Sequence, residues 1–172
     1  MTGTLAHAVF ATSLTLSMDA AADVPHVRAL DPQTATVLAD GMARSAEFRR
    51  LVDRIESLDG IVFIRAGVDP RRSRDRLGGF LSQQVTCVRG FRLLHIVVAP
   101  QSRGRAPAVL AHELQHAVEL LEEPRACIDA DVEALFARIG FQVRAGVVET
   151  EAAVRIEKIV ARQIAMDRRI AR

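Results

Sequence analysis

The stretch VLAHELQHAVEL, Val109 to Leu120, constrains this chain more than any other. Uncharged residues at Leu110, Ala111, Leu114, Gln115, Ala117 and Val118 predict a mostly buried helix. In a helix, residues four apart lie one above the other on one face, about 5–6 Å from each other. His112 and His116 therefore offer two imidazole nitrogens to one ion. Glu113 sits about 100° round the helix, beside the ion yet close enough to act on a water there. Zinc lowers the pKa of such a water toward neutrality, and a carboxylate can take its proton. The competing reading is two satisfied histidines on a half-buried helix. A chance match to this spacing has odds on the order of a percent or less in such a chain, which favours the metal site.

Catalytic zinc normally takes three protein ligands and a water. No histidine follows His116, so a carboxylate must complete the set. Glu119 faces the same way as His112 but lies roughly 10 Å along the helix axis, too far for one ion. Glu133, Glu149 and Glu151 remain. Glu133 lies roughly 110° from the apolar stripe Val132, Leu135, Phe136 and Ile139. Glu151 falls with Arg155, Lys158 and Arg162 on a charged side. Glu149 falls close to the apolar stripe Ala152, Ala153, Ile156, Ile159 and Val160 of a last helix. A carboxylate there is costly unless paired or metal-bound, so Glu149 is the best-placed third ligand. An ordinary glutamate favoured by the dipole of a first helical turn is its alternative.

Around this helix the chain reads as α+β. A helical pattern begins at Asp31-Pro32, with an interruption between Gly41 and Ser45, and stops at Leu58-Asp59-Gly60. Ile61–Ala66 reads as a strand, and residues 67–76 as a loop. Two apolar runs flanking Arg89-Gly90 predict an antiparallel hairpin, which makes three strands in all. The zinc-motif helix starts near Pro107 and ends before Pro124. Two more helices follow, Cys127 to Ile139, closed by Gly140, and Val148 to Ala171.

The 172 residues suit one domain, residues 23–172, with a leader before it. A net charge of +2 makes no demand for nucleic acid, and no run approaches the roughly 20 apolar residues of a membrane span. The apolar run Leu5 to Leu16 before Ala20-Ala21-Ala22 resembles a secretory signal peptide over residues 1–22. Export to the periplasm or outside the cell, with cleavage near Ala22, is the expectation; a cytoplasmic chain with an amphipathic tail is the alternative. Cys87 and Cys127 could form one disulfide in an exported protein, but two free, buried thiols are the expected state.

HELQH on one helix and VETEAA opening the next long one look like the gluzincin-type zinc metallopeptidases. With ARSAEFRRLVDRIES and IVFIRA they also resemble a group of small bacterial predicted metallopeptidases, often exported. The resemblance covers most of residues 31–160, and only the zinc motif in it is highly specific. It implies a zincin-like fold with one zinc per chain on His112, His116 and Glu149, and Glu113 as general base and acid. It further implies a peptide or protein substrate lying along the strand before the helix. Many gluzincins add a Tyr or His that steadies the oxyanion, and this chain has no Tyr. His95 is the candidate for that role, with Arg144 and Arg155 behind it; an ordinary strand residue is the competing reading of His95. Two other functions stay open: a cytosolic regulatory metallopeptidase that cleaves a repressor, and a non-catalytic zinc-stabilised binding module.

Overall fold

Asp31 opens the first helix. Its carboxylate accepts from the Thr34 backbone N–H at 2.9 Å, and Pro32 fills the first turn, as suits a residue without an N–H. The other oxygen of Asp31 accepts from Ala66 N–H at 2.7 Å, which ties this helix start to the end of a strand. The computed structural model describes residues 24–67, 78–82, 84–100, 105–144 and 147–170. The leader expected over residues 1–22 lies outside them.

The elements run β1 (Val27–Ala29), α1 (Pro32–Arg44), α2 (Ala46–Glu56), β2 (Gly60–Ala66), β3 (Gly79–Leu81), β4 (Thr86–Val88), β5 (Phe91–Val98), α3 (Ala106–Leu121), α4 (Asp129–Ile139), β6 (Phe141–Arg144), β7 (Val147–Glu149) and α5 (Glu151–Ile170). The expected break between Gly41 and Ser45 separates two helices: Ser45 ends α1 and caps α2, its hydroxyl accepting from Phe48 N–H at 3.0 Å. Gly41 permits this corner, since a Cβ there would lie 2.6 Å from the Phe48 ring.

The architecture is α+β, but its sheet is larger than the three strands expected. β1, β2 and β5 are parallel, and β3 and β4 both pair antiparallel along the remaining edge of β5. The hairpin at Arg89-Gly90 is present, with both turn residues at positive φ as a two-residue primed turn demands. β1 and the separate β6–β7 ribbon escaped the sequence reading because strands of three or four residues carry almost no period. Val62 and Ile64 of β2 and Leu94 and Ile96 of β5 are fully buried, joining Phe48, Ile55, Leu110 and Leu114 in one core. Their neighbours Phe63 and His95 point to the other face of the sheet, where their rings stack at 5.3 Å. α3 runs through the middle, packed against α1, α2, α5, β3 and β5.

The expectation of two free thiols is overturned: Cys87 and Cys127 are disulfide-bonded, and both residues are exposed. The register explains it. Cys87 stands opposite Arg92, on the helix side of the sheet, where the segment leaving α3 passes. Buried Arg92 donates to the carbonyls of Leu120, Leu121 and Glu123 at 3.1, 2.6 and 2.7 Å, the first two in the last turn of α3 and the third just beyond it. A covalent bond and a guanidinium thus hold the same end of α3 to the hairpin. Arg92→Met should cost about 2 kcal/mol or more, since several charge-assisted hydrogen bonds go at once. Cys127→Ser should cost about 2–4 kcal/mol for a 40-residue separation. Urea unfolding under non-reducing conditions checks both; a loss below about 0.5 kcal/mol in either variant would contradict this account.

Among the described residues no helix is long and apolar enough to cross a membrane.

Candidate metal centre

α3 is buried on nearly every side, so any polar residue on it needs a partner or a task. His112, Glu113 and His116 are between 7% and 8% exposed. Their rings and carboxylate point away from the apolar packing of Leu110, Leu114 and Val118, toward α5 and β3. His112 Nε2 and His116 Nε2 lie 3.2 Å apart, as the four-residue spacing requires.

Glu149 meets them from the β6–β7 ribbon. It is the last residue of β7, not part of the last helix as the sequence reading had it. The chain turns helical only after Thr150, whose hydroxyl accepts from Ala153 N–H at 3.1 Å and whose carbonyl accepts from Val154 N–H at 3.1 Å. Gly140 brings the ribbon in this closely: a Cβ there would sit 2.5 Å from Val148 Cγ1 and 2.8 Å from the Glu149 carbonyl oxygen.

Glu149 Oε2 is 2.6 Å from His112 Nε2 and 3.5 Å from His116 Nε2. The three ligating atoms lie within 4.8 Å of one another. Donors about 2.0–2.1 Å from a tetrahedral ion stand roughly 3.3 Å apart, so two edges of this triangle already match and the third needs a small opening. Close as they are, no donor is aligned on Glu149 Oε2, and it is left as a buried oxygen without a hydrogen bond. Two imidazoles and one carboxylate, whose unpaired oxygen lies beside both rings, fit a divalent cation such as zinc.

The electrostatics point the same way. Burial pulls the His112 imidazole down, but Glu149 and Glu157 outweigh it and hold it up, at about 10. Burial likewise opposes charge on His116, and Glu119 with Glu149 raises it to about 9. Burial alone would raise Glu149; the two imidazoles bring it down to about 2. The pocket thus asks for positive charge between its ligands, which protons supply when no cation does.

Glu113 is turned from this triangle toward β3. Gly79 lies against it: a Cβ on Gly79 would be 3.3 Å from Glu113 Cγ and 3.0 Å from Val109 Cγ1. Burial raises the Glu113 carboxyl, against the pull of His116, His112 and the Leu81 backbone N–H. A buried carboxylate beside two ligands and bonded to neither is what a proton carrier requires.

The structure therefore brings together His112, His116 and Glu149, with Glu113 alongside. Glu133 and Glu151 are exposed on α4 and α5. His95 is not at the centre, because strand alternation puts it on the far face of the sheet, exposed and stacked on Phe63. Arg144 lies on the exposed ribbon, and Arg155 on the side of α5 opposite buried Ala153, Ile156 and Val160. Sequence reasoning missed Thr150, Glu157 and, behind Glu157, Arg105, and it weighed Glu119 only as a third ligand and not as a partner of His116. A signal existed for the last. Glu119 is three residues from His116 on the same helix, and ligating histidines commonly pass their second N–H to a carboxylate.

Comparison of the chain with protein-family models, with curated proteins and with solved structures finds no match. The functional reading therefore stands on this geometry.

Proposed function

We propose that the chain is a zinc-dependent peptidase of zincin-like, gluzincin type, with one zinc per chain on His112, His116 and Glu149. The observation that carries this is Glu113, a buried carboxylate beside the ligand triangle that supplies none of its three ligating atoms. A bound zinc ion would lower the pKa of a water and polarise a peptide carbonyl. Glu113 takes the proton of the attacking water and later delivers it to the leaving amine nitrogen. Its raised pKa brings it nearer the range in which a carboxyl both accepts and returns a proton at neutral pH.

The substrate path differs from the one the resemblance implies. β5, the strand before the helix, has β2 on one side and β3 and β4 on the other, so no peptide can pair with it. β3 is the outermost strand at that side among the described residues, and it runs directly past Glu113. An extended peptide adding to its outer edge, which no described strand covers, would lie beside the base. The Cys87–Cys127 bond supports an oxidising compartment, and so the exported form over a cytosolic regulator that cleaves a repressor. The absence of a third imidazole or a phenol at the centre, among the described residues, favours one other reading, a non-catalytic zinc-stabilised module.

Metal analysis of the purified chain, joined to digestion of an unbiased peptide library, tests the proposal. One zinc per chain and a defined set of cleavages are expected. One zinc with an intact library selects the binding module, and a chain that takes up no divalent metal ends both readings.

A further inference from the structure

Each ligating imidazole has a second nitrogen, and what holds that nitrogen decides which one is offered to the centre. His116 Nδ1 lies 3.0 Å from Glu119 Oε2. The Glu119 carboxylate is itself fixed, because Thr150 Oγ1 donates to Oε1 at 2.8 Å and Gln115 Nε2 donates to it at 3.3 Å. The Thr150 hydroxyl accepts from Ala153 N–H, so its own proton is committed to Glu119. With two donors on Oε1, the other oxygen is free to accept from His116 Nδ1–H. The lone pair of His116 Nε2 then faces His112 and Glu149.

At His112 the corresponding carboxylate is Glu157. Its Oε2 is 3.3 Å from His112 Nδ1, and Arg105 Nη2 donates to its Oε1 at 2.5 Å. The approach is off line, and His112 Nδ1 is left without a hydrogen bond. The two supports are unequal: one is aligned and locked from behind, while the other is held by an exposed arginine.

We infer that Glu119, locked by Thr150, is the positioning residue that fixes His116 in the tautomer offering Nε2 to the metal, and that Glu157 with Arg105 is a weaker counterpart for His112. This rests on the metal-site reading above. It also explains why Thr150 follows Glu149. One dipeptide delivers the third ligand and secures the second, so the ribbon cannot seat one without the other.

The test is zinc affinity by chelator competition, with ¹⁵N spectra of the zinc-loaded imidazoles, on the full chain. Glutamine has one acceptor oxygen and cannot serve both Thr150 and His116, so Glu119→Gln should weaken zinc binding by about 10–100-fold. It should also lose the pure Nδ1–H signature of His116. Glu157→Gln should weaken binding less than Glu119→Gln does. Thr150→Val removes the donor and Thr150→Ser keeps it, so Val should bind more weakly and Ser should recover parental affinity. That pair carries the test if Glu119→Gln fails to fold. The inference is overturned if Glu119→Gln binds within twofold of a zinc-binding parent with its His116 signature unchanged, or if Val and Ser bind alike; the metal reading then stands. A parent that binds no zinc ends both.

Discussion

Glu149→Ala is expected to lower zinc affinity by on the order of 10³-fold or more, well beyond the 10–100-fold that follows loss of an outer hydrogen-bond partner. The side chain supplies one of the three ligating atoms and the only anionic one. Its removal leaves two imidazoles, one short of the three protein ligands that a catalytic zinc takes. Glu133→Ala and Glu151→Ala, at exposed positions on α4 and α5, should bind zinc as the parent does. Chelator competition on the three variants decides the matter. If Glu133→Ala strips the metal while Glu149→Ala keeps it, the ligand set is wrong.

Glu113→Gln is expected to lower peptide hydrolysis by a factor on the order of 10² or more, the usual scale on which a general base contributes. Glutamine keeps the shape of the side chain and cannot take a proton. Zinc content should not change, because Glu113 lies beside the triangle and gives it no ligand. The melting temperature should hold or rise, since burial already works against an ionised carboxyl at this position. Turnover, zinc stoichiometry and melting of parent and variant are measured together on one peptide taken from the library. Equal turnover in the two proteins would sink the proposed role of Glu113.

What could be read from the sequence was what one element encodes by itself. The helix ends were legible because Asp31, Ser45, Pro107 and Gly140 each do local work at a terminus. His112, Glu113 and His116 were legible because helical spacing alone fixes their relation. Glu149 was reached through its neighbours' apolar character, although it sits in a strand rather than in the helix that suggested it. The remainder depends on distances between elements, which no spacing encodes. Thr150 and Glu119 meet across 31 positions, and Arg105 and Glu157 across 52. The pairing of Cys87 with Cys127 required knowing that β4 and the end of α3 share a side of the sheet. His95 was displaced by one step of strand alternation, which sends successive side chains to opposite faces.

The bond from Cys87 to Cys127 makes a covalent ring that encloses β5 and α3, and with them His112, Glu113 and His116. Glu149 and Thr150 stand outside it. A single backbone cut anywhere between the two cysteines opens the ring without releasing a fragment. A chain nicked there by a protease keeps its two pieces joined and migrates near full length until a reductant is added. A cut between Cys127 and Glu149 has no such protection and leaves the third ligand and α5 held by non-covalent packing alone. In an environment rich in proteases, the covalent ring guards the half of the centre that carries the base and two ligands, while the third ligand lies beyond its reach.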